Sequence, residues 1–130
     1  MSAPNAAVVP ITVILADDSE VMRGAIRQLL TSDSRILVVG EVKNFVELVA
    51  ASTKLRPAVL PVDIHMAGRD DVPADFFSRQ LSGCTVLAIS LWNDPATLKL
   101  AYGIGAVRLL CKSDMFVELI PAVLDLAPRI

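Results

Sequence analysis

The chain has 130 residues, a net charge of −2 and 54% hydrophobic residues, a length that suits one domain burying roughly 65–70% of its extended surface. No apolar run approaches the ~20 residues of a membrane span. Lys and Arg are scattered rather than clustered, which argues against direct nucleic-acid binding by this segment.

The N-terminal "MSAPNAAVVP" lacks the basic and apolar regions of a secretory signal, so residues 1–10 read as a flexible tail, residues 11–130 as the domain, and the compartment as cytoplasmic. From there apolar runs alternate with helix-period segments, the pattern of a parallel sheet wrapped by helices. "ITVILA" (Ile11–Ala16) is the first strand, and a helix with apolar residues at Val21, Met22, Ala25, Ile26, Leu29 and Leu30 follows it, capped by Ser19. "ILVVGEV" is the second strand and "NFVELVAASTKL" the second helix, with Asn44 as cap and Pro57 stopping it. The third strand runs from Ala58 to Asp63, and Pro61 within it removes a backbone donor, which predicts local distortion or unpairing.

A short helix around "ADFFSRQL" leads to the fourth strand, "TVLAIS", apolar enough to be covered on both faces. Asn93 or Asp94 caps the fourth helix, with Pro95 in its first turn. "AVRLLC" is the fifth strand, and the fifth helix starts at Ser113 or Asp114, with Pro121 expected to bend or shorten it. Cys84 and Cys111 lie in or beside apolar strands without metal-ligand spacing and read as buried reduced thiols.

Polar groups end several strands: Asp17 and Asp18, Asp63, Ser90 and Lys112. In an open α/β sheet the carboxyl ends of the strands border the ligand crevice, so these side chains should converge. Three adjacent carboxylates repel one another unless a cation neutralises them, and an all-oxygen set suits Mg²⁺, which also takes phosphate oxygens. Taken singly, the acidic pair also fits helix capping, Lys112 a surface lysine and Ser90 an ordinary hydroxyl. Their joint placement is what favours a site.

The acidic pair in "LADDSEVMR", the acceptor motif "VDIHM", the hydroxyl of "LAIS" and the lysine of "LLCKSD" together resemble the receiver domain of bacterial two-component response regulators, from about Ile11 to about Leu126. The resemblance implies a flavodoxin-like α/β fold, a single doubly wound five-stranded parallel sheet of order 2-1-3-4-5 with five helices. It implies that Asp63 accepts a phosphoryl group from a histidine kinase or phosphotransfer protein. Asp17, Asp18, Asp63 and the backbone carbonyl of His65 would ligate Mg²⁺, while Ser90 and Lys112 would hold the phosphoryl oxygens. Such a domain is a phospho-acceptor rather than an enzyme in its own right. Phosphorylation would alter the face of helix four, strand five and helix five, which engages an output domain, a target or a second copy. The local flavour is most similar to receivers preceding a helix-turn-helix DNA-binding domain; any such domain would belong to a longer parent chain.

The sequence departs from that pattern in places. Leu109 stands where an aromatic residue is usual, Ala67 replaces a proline, a glycine is replaced near Asp70 and Asp71, and Leu91 follows Ser90 where a small residue is common. Leu91 is expected to narrow the path to Asp63 and slow phosphoryl turnover. His65, the sole histidine, is expected at the rim without an orienting partner, and Trp92 either over the site or on an apolar edge. A phosphorylation-independent binding or dimerisation module is the alternative. An aspartyl phosphohydrolase ranks below it, and the lack of a glycine-rich loop after the first strand argues against FMN.

Overall fold

The computed structural model describes residues 9–73, 75–81 and 83–127. The expected tail lies outside the described residues as far as residue 8; Val9 and Pro10 are exposed. Five parallel strands form one sheet in the order β2-β1-β3-β4-β5: β1 (Ile11–Ala16), β2 (Ile36–Val42), β3 (Val59–Asp63), β4 (Thr85–Ser90) and β5 (Ala106–Cys111). The helices are α1 (Glu20–Thr31), α2 (Phe45–Leu55), α3 (Phe76–Arg79), α4 (Pro95–Gly103) and α5 (Met115–Leu126).

Period-two side-chain alternation divides the core into two layers. Val13 and Leu15 of β1 pack with Ile26 and Leu30 of α1 and Met115 and Leu119 of α5. Ile14 and Ala16 face the other way, against Phe45 and Leu48 of α2, Phe76 and Phe77 of α3 and Ala101 of α4. Both faces of the sheet are thus covered, which accounts for the continuous apolar strands. Each fully buried Leu or Phe contributes roughly 1.5–3 kcal/mol.

Local signals fix the helix ends. The Ser19 hydroxyl accepts the Met22 N–H at 3.1 Å, and the Asn44 side chain accepts the Glu47 N–H at 2.8 Å. Both satisfy donors that the first helical turn leaves unpaired. α2 ends at Arg56, whose φ of 48° is left-handed, immediately before Pro57. Its side chain donates to the Gln80 carbonyl at 2.6 Å, tying this turn to the end of α3. Asp94 precedes Pro95 at the start of α4, and the Thr97 hydroxyl donates to its carboxylate.

Pro61 acts on one side only. β3 pairs with β4 in unbroken register from Val59 to Asp63, whereas its ladder to β1 pairs only Val13 with Val59 and Ala16 with Val62. The missing donor is accommodated by a gap towards β1. Pro121, by contrast, does not shorten α5, which runs through it. The carbonyl it frees is that of Val117, a residue 80% exposed, so water can satisfy it. α5 itself begins at Met115, one residue after Asp114 and two after Ser113, following a 3₁₀ turn over Lys112–Asp114.

Because the chain runs outward from β1 to β2 and then crosses back to β3, the strand order reverses between β1 and β3. The crevice at their carboxyl ends is where Asp17 and Asp63 lie.

A buried acid pair bridged by one lysine: the candidate functional site

Asp17 follows the last residue of β1 and is 2% exposed; Asp63 ends β3 and is 6% exposed. Asp18 is exposed to solvent, yet carboxylate oxygens of Asp17, Asp18 and Asp63 all lie within 4.8 Å of one another. Lys112, at the end of β5, reaches across the crevice and places Nζ 3.3 Å from Asp17 Oδ2 and 3.2 Å from Asp63 Oδ2. A single ammonium thus bridges the two buried acids.

The backbone fixes the other oxygens. Asp63 Oδ1 accepts the His65 N–H at 2.9 Å, and Asp17 Oδ1 accepts the Ser19 N–H at 2.9 Å. Arg23 donates to the Asp17 carbonyl at 2.6 Å, pinning the turn between β1 and α1.

Burial pushes the Asp17 carboxyl above its ordinary value, and the Asp63 charge adds to this, against the Ser19 N–H and the Lys112 ammonium. For Lys112, burial disfavours the ammonium, but the attraction of Asp63 and Asp17 outweighs it and holds the pKa above the usual lysine range. The donor set is hard and anionic, with an exposed third carboxylate open to water, which suits a small divalent cation.

Ser90, fully buried at the end of β4, turns its hydroxyl elsewhere. Its Oγ accepts the Trp92 N–H at 3.1 Å and lies 3.0 Å from His65 Nε2. The His65 ring meets Trp92 edge-on, with centroids 5.3 Å apart. His65 is exposed, as expected, but it does have an orienting partner, supplied from 25 residues away in sequence. Nothing in the spacing signals that contact. Leu91 is 60% exposed, and the side chain reaching the Ser90 hydroxyl is that of His65.

The loop after β3 turns at Gly68, where φ is 90° and a Cβ would sit 3.5 Å from Phe45 Cβ. Gly68 meets the loop's need for a left-handed residue without a glycine at position 70 or 71. A cleft of about 530 Å³ opens over this loop, lined by His65, Ala67, Gly68, Arg69 and Asp71 among others. A separate cleft of about 650 Å³ lies along α4, between Arg69 and Val72 on one side and Lys99, Leu100 and Ile104 on the other. Cys84 and Cys111 are free and half-buried, and among the described residues no helix is long and apolar enough to cross a membrane.

Comparisons with known proteins agree with this architecture. The receiver domain of the response regulator NarL from Mycobacterium tuberculosis superimposes with a TM-score of 0.80 at 29% identity, covering 89% of this chain and 94% of that one. The response regulator domain of CheB from Thermotoga maritima shares the fold, with a TM-score of 0.78 at 23% identity, covering 90% of this chain and 96% of that one. Among curated proteins, a protein-glutamate methylesterase/protein-glutamine glutaminase from Caldanaerobacter subterraneus subsp. tengcongensis is 30% identical over 84% of this chain and 30% of its own length. The transcriptional regulatory protein LiaR from Bacillus subtilis is 28% identical over 87% of this chain and 54% of its own. The chain therefore spans about a third of that methylesterase and about half of LiaR. Residues 13–124 match the response regulator receiver domain, and the chain belongs to that family, the signalling module of two-component systems.

Proposed function

We propose that this receiver takes a phosphoryl group onto Asp63 from a histidine kinase or phosphotransfer protein and relays the change to an output partner. The observation that carries the reading is the Asp63 carboxylate, buried and oriented by the His65 N–H and the Lys112 ammonium, beside two further acids. An Asp63 oxygen attacks the phosphorus of a phosphohistidine in line, the P–N bond breaks, and the departing imidazole takes up a proton. Lys112 exchanges one carboxylate contact for a phosphoryl oxygen, and Ser90 donates to another. Asp17, Asp18, Asp63 and the His65 carbonyl would hold Mg²⁺, which would supply positive charge against the transferred oxygens.

Exposed Leu100 and Tyr102 on α4, Val107 on β5 and Val117 on α5 support a partner, output domain or second copy engaging the side formed by these elements. In a longer parent chain, the resemblance to the transcriptional regulatory protein LiaR supports a transcription-regulating output, and that to the methylesterases an enzymatic one.

Intact-mass spectrometry after treatment with acetyl phosphate and Mg²⁺ tests the reading. One phosphate adduct is expected on the wild type and none on Asp63→Asn. No adduct on either protein would point to a phosphorylation-independent binding module instead.

A further inference from the structure

We infer that His65 is a positioning residue that latches the Ser90 hydroxyl away from Asp63 in the resting protein. The inference rests on the phospho-acceptor reading above. Ser90 is fully buried, and its Oγ is bonded on one side to the Trp92 N–H and on the other to His65 Nε2; among the described residues no bond joins it to Asp63. A hydroxyl has a single proton, and with the imidazole protonated on Nδ1 that proton is spent on Nε2, which is the form the latch takes. Trp92 braces the ring edge-on from the loop that follows Ser90.

The latch therefore joins the loop after β3 to the loop after β4, on either side of the phospho-acceptor. In that form Ser90 can donate to a phosphoryl oxygen only once its bond to His65 has broken. The bond is thus an energetic cost that the phosphoryl group offsets on switching. It sets how readily the site takes up its ligand without the His65 side chain touching that ligand.

The probe is beryllofluoride with Mg²⁺, its binding followed by fluorine NMR so that the readout does not depend on Trp92. A neutral hydrogen bond has a net worth that corresponds to roughly a two- to tenfold change in an equilibrium. His65→Ala is expected to lower the half-saturating beryllofluoride concentration by that factor, and His65→Gln, which keeps a polar atom near the Nε2 position, to stay close to wild type. The deciding arm is the double-mutant cycle: in a Ser90→Ala background, removing His65 should change nothing.

If His65→Ala binds no more tightly than wild type, the latch is overturned while the phospho-acceptor reading stands. An equal gain in the Ser90→Ala background also overturns it, because His65 would then merely obstruct the site. If the folded wild type binds no beryllofluoride, the phospho-acceptor reading fails and the latch falls with it.

Discussion

Ser52 is fully buried on α2, and its hydroxyl has no hydrogen-bond partner among the described residues. A desolvated hydroxyl without a partner is a standing cost, and serine is also a poorer helix former than alanine. Ser52→Ala is expected to stabilise the fold by about 1 kcal/mol, read from urea unfolding midpoints at unchanged slope; a loss of stability would mean that the hydroxyl is satisfied in solution. At this scale the convergence of Asp17, Asp18, Asp63 and Lys112 is legible in sequence because strand ends in a parallel sheet have only one crevice to face. The His65–Ser90 bond is not, because it depends on how two loops fold over that crevice, and loop geometry leaves no periodic trace.

Among the elements, α5 carries the clearest conflict between sequence and structure. Pro121 sits in the interior of a 12-residue helix, where it removes the hydrogen bond to the Val117 carbonyl. The site is exposed and no packing at position 121 demands the ring, so Pro121→Ala is expected to raise stability by about 1 kcal/mol or more. A lower melting temperature would show that the proline restricts the unfolded chain more than it strains the helix. Strand limits are the best-read features of the sequence: β1, β2, β4 and β5 begin and end at the residues that their apolar runs mark. The four-residue α3 is read only approximately, since Phe76 and Phe77 anchor it by burial and so short a segment has little helical period to detect. Pro61 shows the same limit: the sequence marks the missing donor but not which neighbouring strand loses the bond.

For the whole molecule, Asp17 links pH to stability. Burial raises its folded pKa above the ordinary 3.8, so its favourable contribution is complete below that value and is lost as pH rises through the raised one. A cation that binds the ionised carboxylate relieves this cost. The rise in melting temperature on adding Mg²⁺ is therefore expected to be small near pH 4 and larger at pH 7.5, measured by thermal scans at both values. An equal rise at both would separate metal binding from Asp17.

The lysine that bridges Asp17 and Asp63 directly follows the last strand of the sheet, and that order has a consequence for the chain as it is made. While the polypeptide emerges from the ribosome, β1, β2 and β3 are available to pair before residue 112 appears. Until then the two inward acids have no internal counter-ion, and their mutual repulsion opposes early closure of the crevice. Completion of β5 delivers that charge together with the last edge of the sheet, so the nascent domain gains its final strand and a neutralised interior in one event.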